Sequence, residues 1–160
     1  MLDDIDIQIL DILQSKGRTR RNELAEEVGL SLPSVSERLR KLEEAKIITG
    51  YSAIVSPRKL GKDITAFIHV LIDSSKHYAN FIDHANATVE ILECHAITGE
   101  GSHILKIRTE NTSTLEKLLA KIQSWLGVTG TRTHLVLSSP KETTKISLSH
   151  VKYLPSKDSQ

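Results

Sequence analysis

One cysteine, Cys94, is all the thiol chemistry this chain has. A lone cysteine excludes an intrachain disulfide and a multi-cysteine zinc site, and it fits a reducing compartment. Long apolar runs are missing too. A membrane helix needs roughly 18 apolar residues in succession, and the best candidate, Ile64 to Ile72, is short and contains His69. No targeting segment is expected, because the opening MLDDIDIQIL is acidic where such a segment is basic. These absences predict a cytoplasmic protein with no membrane partner. Charge of one sign is lacking as well: 21 Lys and Arg against 20 Asp and Glu leave a net charge of +1. Bulk electrostatics therefore do not announce nucleic acid, and the placement of charge matters more than its sum. Catalytic signatures are absent in the same way. There is no helical His pair beside a glutamate, no P-loop and no Ser-His-Asp pattern. The sequence predicts no catalytic residue, no metal ligand and no cofactor. What remains is 160 residues, 39% hydrophobic and 26% charged, the composition of a globular protein of one domain or two small ones.

The basic residues that are present are clustered. Arg18, Arg20 and Arg21 precede one apolar-periodic segment, and Arg38, Arg40 and Lys41 lie on the next, while acids crowd the first ten residues. Leu2, Ile5, Ile9, Ile12 and Leu13 repeat at helical spacing, with Asp3 as N-cap and Asp4 and Asp6 suited to the helix dipole. Thr19 is placed to cap a second helix, with Leu24, Ala25 and Val28 facing inward and Gly29 supplying a left-handed turn. Ser31 is placed to cap a third, with Pro33 in its first turn. There Val35, Leu39 and Leu42 fall in a narrow arc and must be core. The opposite arc carries Pro33, Ser34, Glu37, Arg40, Lys41 and Glu44, with Ser36 and Arg38 on its flanks. A helix, a glycine turn and a second helix with a basic outward face is how a helix-turn-helix places a recognition helix in the DNA major groove. In that arrangement Ser34 and Ser36 can donate or accept at base edges, Glu37 can accept from a cytosine amino group, and Arg38 can fork onto guanine. Arg40, Lys41, Arg18, Arg20 and Arg21 would neutralise phosphates. The blander reading is a solvated helix face laced with Glu–Arg pairs. Two capped helices joined by Gly29-Leu30-Ser31 favour DNA. Residues 46 to 55 alternate enough for a short hairpin, a wing, with its turn near Gly50. Residues 55 to 62 have the turn and charge content of a linker.

From Asp63 the hydrophobic period changes. Ile64, Ala66, Ile68, Val70 and Ile72 alternate as a strand, and Tyr78, Phe81, Ile82 and Ala85 mark a helix capped by Ser75. Strands follow over 89–98 and 103–109, joined by Gly99-Glu100-Gly101-Ser102. A second helix carries Leu115, Leu118, Leu119, Ile122 and Trp125, and a last strand runs over 131–138. This is the ferredoxin-like βαββαβ order, so the fold class is α+β: a winged helix-turn-helix over residues 1–54, then an αβ-sandwich over 63–140. Residues 141–160 form an extension of fading periodicity, with Pro155 to Gln160 expected to be disordered. Two helices cover only one face of four strands. The other face would carry Phe67, Leu71, Ile97, Ile104 and Val136 among His69, His95, Lys106 and Arg108, more apolar surface than a monomer usually leaves bare. A second copy related by a two-fold axis is the simplest cover, and it also supplies two reading heads for two half-sites.

The segments LDDIDIQILDILQSKGRTRRNELAEEVGLSLPSVSERLRKLEEAKIITGYSAI and ILECHAITGEGSHILKI together resemble the Lrp/AsnC (feast/famine) family of transcription regulators over residues 2 to 139. That resemblance implies a winged helix-turn-helix followed by a ligand and assembly domain, and homodimers that often build tetramers or octamers. It also implies double-stranded DNA as partner. A small effector, usually an amino acid, would be held between dimers near Thr98, Gly99, Glu100, Gly101 and Ser102. Two positions depart from the family pattern. Lys46 stands where glycine is usual, and Ser102 stands where the family usually has an acid able to pair with an amino-acid ammonium. An ordinary amino acid is therefore expected to bind weakly or not at all. Two alternatives stay open. One is an architectural protein that wraps DNA without an effector. The other is an enzyme resembling the sirohaem decarboxylases, for which His69, His95, His103 and His134 would have to converge on the sheet.

Overall fold

The structure, a computed structural model, describes residues 2–99 and 101–151. It divides into two compact units: one takes the residues up to Ile54 together with those from Lys141 onward, and the other runs Val55–Pro140.

In the first unit the helical period is realised as α1 (Asp4–Ser15), α2 (Arg21–Val28) and α3 (Leu32–Glu44). Ile9, Leu24, Ala25, Val35, Leu39 and Leu42 are buried together as its core, which is where their spacing put them. Leu10, outside the expected stripe, is buried with them, while Leu2, Ile5, Ile12 and Leu13 are only partly covered. α2 stops at Gly29, whose left-handed backbone (φ 69°) lets Leu30 N–H return to the Ala25 carbonyl at 3.0 Å. Ser31 then opens α3, its hydroxyl accepting from Ser34 N–H, with Pro33 in the first turn. Thr19 does not cap α2. Its hydroxyl donates to the Lys16 carbonyl at 2.7 Å, and the N-cap is Arg20, whose N–H is taken by the Glu23 carboxylate at 3.2 Å.

The hairpin expected over 46–55 is not formed among the described residues. The reason lies at the end of α3. Lys46 adopts a left-handed φ of 56°, and the N–H groups of Ile47 and Ile48 both turn back to the Leu42 carbonyl, so the first arm is consumed in closing the helix. Tyr51, Ile54 and Val55 are left exposed.

Residues 141–151, where the sequence showed no strong period, fold back onto α1. The Gln14 side-chain amide bonds both polar groups of Ile146, donating to its carbonyl at 3.1 Å and accepting from its N–H at 2.7 Å. Lys145 Nζ reaches the Asp11 carboxylate at 2.9 Å and Ser15 Oγ at 2.8 Å, and Leu148 packs against the helical core. The disorder expected from Pro155 onward lies outside the described residues.

The second unit contains β1 (Ile64–Ile72), α4 (Tyr78–Ala87), β2 (Ile91–Ala96), β3 (His103–Thr109), α5 (Thr112–Gln123) and β4 (Val128–Leu135). The strands are antiparallel in the order β2-β3-β1-β4, the ferredoxin-like arrangement. β2 starts two residues later and ends two residues earlier than expected, with a register shift between Ile91 and Glu93, and β4 starts and ends three residues early. Ser74, not Ser75, receives the N–H that opens the turn before α4. Ala66, Ile68, Val70, Leu105 and Ile107 project from one sheet face onto Phe81, Ala85, Leu115, Leu118, Ile122 and Trp125 of the helices and their flank. Cys94 packs against this core, and burial pushes its thiol pKa up.

The tail on α1 should be measurable as stability of the helical unit. Leu148→Ala removes apolar contact, and Gln14→Ala removes two exposed hydrogen bonds. Each is expected to destabilise the unit by about 1 kcal/mol, while Lys145→Ala, an exposed ion pair, should change it by less than about 0.5 kcal/mol. Chemical unfolding of the full chain, followed by helical signal, checks this order.

Candidate nucleic-acid interface

α3 presents its outward arc as the spacing required. Pro33, Ser34, Glu37, Arg40 and Lys41 are exposed and Ser36 is half-buried. Ser34 is already committed at its N-terminal end, its hydroxyl lying 2.9 Å from that of Ser31. Further along, the cations are clasped by acids one turn away. Arg40 donates through Nε and Nη2 to Glu37 at 2.9 and 2.7 Å and through Nη1 to Glu44 at 2.6 Å, while Lys41 Nζ lies 3.7 Å from Glu37. The Arg40 guanidinium holds the Glu37 carboxyl below its usual range. These are surface pairs that solvent and salt weaken, so they can be exchanged for phosphates at little expense. Arg18, Arg20 and Arg21 are exposed and make no ion pair among the described residues, a second patch of positive charge beside α2. Tyr51, which the sequence reading did not single out, donates its hydroxyl to Glu43 at 2.9 Å. Burial, then that carboxylate, push its pKa up to about 12.

Arg38 does not stand free on the flank of α3, as base readout would require. Its Nη1 donates to Asp3 Oδ2 and Asp6 Oδ1, both at 2.7 Å, and the Arg38 side chain is only 28% exposed. The acids it meets are the two ends of the α1 capping box: Asp3 Oδ1 accepts from Asp6 N–H at 2.8 Å and Asp6 Oδ2 accepts from Asp3 N–H at 3.1 Å. The box was half legible, since Asp3 reads as an N-cap. Its partner some thirty residues away was not, because nothing local marks it.

The loop proposed for an effector is a hairpin between β2 and β3. Thr98 and Gly99 are exposed, Gly101 and Ser102 are half-buried, and Glu100 lies outside the described residues. Gly101 has φ 90°, and a side-chain carbon there would sit 3.1 Å from the Val70 carbonyl oxygen, so this glycine is needed for packing the hairpin onto β1. Ser102 is turned the same way: its hydroxyl donates to the Val70 carbonyl at 3.2 Å and its N–H does so at 3.0 Å. The Ser102 side chain is thus an internal anchor of the hairpin.

On the sheet face away from the helices, Phe67 lies opposite Lys106 and His134, and His69 lies opposite Ile104 and Arg132. The His69 and His134 rings meet edge to face with centroids 5.4 Å apart. Glu93 joins them from β2, with Lys106 Nζ at 3.1 Å and His95 Nε2 at 3.3 Å. Burial pushes the Glu93 carboxyl up, but its hydrogen bonds with Lys106 and His95 more than offset this and leave its pKa lowered. His103 does not join this set. Strand alternation points it into the covered core, 2% exposed against Tyr78 and Phe81, where burial lowers its pKa. The convergence of four histidines that the enzyme alternative requires therefore fails at His103. No group of three or more His, Cys, Asp or Glu among the described residues is placed to hold a metal, and no described helix is long and apolar enough to cross a membrane.

Comparison with known proteins agrees with both units. Residues 2–49 match the winged helix-turn-helix DNA-binding family and residues 65–146 match the Lrp/AsnC ligand binding domain. The chain is 48% identical over 118 residues to the HTH-type transcriptional regulator YezC of Bacillus subtilis, covering 74% of this chain and 83% of that one. It is 35% identical over 150 residues to the leucine-responsive regulatory protein of Salmonella typhimurium, covering 91% and 90%. Among solved structures, a transcriptional regulator of Neisseria meningitidis in complex with L-methionine superposes with a TM-score of 0.90 at 33% identity, covering 94% of this chain and 99% of that one. A DNA-binding head and a ligand-binding domain in this order, with relatives matched along nearly their whole length, make this chain a member of the Lrp/AsnC family of transcription regulators.

Proposed function

We propose that this regulator reads a two-part DNA site as a dimer closed through its open sheet face, with the exposed arc of α3 as its reading surface. The observation that carries the proposal is that arc. Pro33, Ser34, Glu37, Arg40 and Lys41 all point outward from a helix whose entry is fixed by Gly29 and Ser31. Serine and glutamate supply base-edge donors and acceptors, while Arg40 and Lys41, with Arg18, Arg20 and Arg21, supply phosphate contacts. A pool of random duplexes offered to the full chain should be enriched in sites whose two halves lie about 10 bp, or a multiple of that, apart. Arg40→Ala should weaken the selected and random duplexes alike and flatten the salt dependence by about one unit. A pool that stays random, with equal affinity for every duplex, would favour the architectural reading instead.

The dimer rests on Phe67, Leu71 and Ile104, apolar side chains on a face that the unit's own helices cannot reach. Phe67→Asp places a charge at the middle of that face, between Lys106 and His134. It is expected to shift the full chain from dimer to monomer in sedimentation velocity. A sedimentation profile unchanged by this substitution would remove the sheet face as the interface.

We propose that ordinary amino acids bind weakly or not at all at the loop of Thr98, Gly99, Glu100, Gly101 and Ser102. The support is the Neisseria meningitidis relative, which is solved with L-methionine, set against an inward-turned Ser102 that offers a hydroxyl in place of a carboxylate. An aspartate at this position cannot donate to the Val70 carbonyl and would turn outward. Calorimetry against a panel of amino acids should therefore show weak binding by the parent and roughly tenfold tighter binding by Ser102→Asp, about 1.4 kcal/mol. Sub-micromolar binding by the parent would overturn the assignment.

A further inference from the structure

We infer that Arg38 is a positioning residue of the reading head: it locks the recognition helix to the capped first turn of α1 and does not read a base. The inference rests on the DNA-binding reading above, and its geometry is unusually complete. The two carboxylates offer four oxygens, and all four are used. Asp3 gives Oδ1 to Asp6 N–H and Oδ2 to Arg38, while Asp6 gives Oδ2 to Asp3 N–H and Oδ1 to Arg38. One guanidinium nitrogen therefore closes the box from outside, and two hydrogens of Arg38 are spent on it. Removing Arg38 would leave two like charges facing each other at the head of α1, with the Asp6 side chain only 14% exposed to screening water.

The contact is also placed where it controls an angle. Arg38 sits midway along α3, one residue before the buried Leu39, and Asp3 and Asp6 flank the start of α1. The core residues Ile9, Leu10, Val35, Leu39 and Leu42 hold the two helices together, but apolar packing is non-directional and permits rotation or sliding between rods. A charge-assisted bond from one rod to two fixed acceptors on the other removes that freedom. The other α3 cations are held differently. Among the described residues Arg40 and Lys41 pair with Glu37 and Glu44 of their own helix, so they fix no angle and remain exchangeable.

A reader and a strut give opposite signs in one experiment. If Arg38 read a base, neutralising its acidic partners would release it and remove negative charge from the head, so Asp6→Asn would bind DNA more tightly. As a strut, Arg38 loses its anchor in Asp6→Asn. The expected result with the full chain is that Asp6→Asn and Arg38→Ala each weaken the selected duplex about tenfold. Combining them should cause little further loss, and base preference should be unchanged at every position. Arg38→Lys, which keeps one charge-assisted bond, should recover part of the affinity. Tighter binding by Asp6→Asn, or relaxed choice at one base pair in Arg38→Ala, would overturn the inference in favour of readout. Parental affinity in all the variants would overturn it as well. A measurement without DNA separates this from the functional reading: hydrogen exchange of the α1 amides and of the middle of α3 should quicken at least tenfold in Arg38→Ala. Unchanged exchange there would sink the strut whatever the protein does with DNA.

Discussion

Four strands and two helices cannot satisfy each other, and the shortage shapes this protein beyond its second unit. α4 and α5 seal Ala66, Ile68, Val70, Leu105 and Ile107 on one face of the sheet and leave the other with Phe67, Leu71 and Ile104 in a field of histidine, arginine and lysine. Strand alternation allows no escape, because a slip of one residue would expose the sealed set instead. The apolar part of that face favours a cover, and the cations around it set what the cover must look like. A self-complementary two-fold packing can offset them, with Glu93 as a ready acid at the rim. Pairing through the sheet doubles the reading head, which is what a short recognition helix with few base contacts needs for useful specificity.

The reading head shows the same economy of charge. Its recognition helix carries as many acids as bases, and in the free protein Arg40 and Lys41 pair with Glu37 and Glu44. The exposed pairs along α3 contribute little to stability and can be traded for phosphates, so they tune affinity and salt response. The Arg38 link is of another kind. Freeing that guanidinium gives up two charge-assisted bonds, together about 2–4 kcal/mol after allowance for the exposure of Asp3, against about 1–3 kcal/mol from one bidentate base contact. The comparison favours the internal link. Two arginines two residues apart on one helix thus have different fates, decided by which acids lie within reach.

That difference marks the limit of what was legible in the sequence. Helical spacing identified Ile9, Leu39 and Leu42 as core, and strict alternation identified Ala66, Ile68 and Val70, because burial imposes a period that composition cannot hide. The glycine turn and the exposed arc of α3 were legible for the same reason. Partners were not. Arg38 and Arg40 look alike along the chain, and only the fold brings Asp3 and Asp6 to one of them. His103 was grouped with His69 and His134, although its parity on β3 sends it into the core. The hairpin at 46–55 failed because alternation cannot show that Ile47 and Ile48 spend their N–H groups on the Leu42 carbonyl. Ser102 reads from the sequence as a lost acid, but its anchoring of the hairpin to Val70 depends on a neighbour thirty-two positions away.

The tail from Lys141 was the least legible segment, and it bears on how the head is held. The chain passes between its two units twice, at Ile54–Val55 and again at Pro140–Lys141. At the second passage it returns to α1, where Gln14 fixes the backbone of Ile146 and Lys145 meets Asp11 and Ser15. α1 therefore carries the tail on its last turns and Arg38 on its first. A helix of twelve residues is a rod of about 18 Å that bends little at this length. Both ends of the described chain thus meet on one stiff element, and the strut inferred for Arg38 would join that element to the recognition helix.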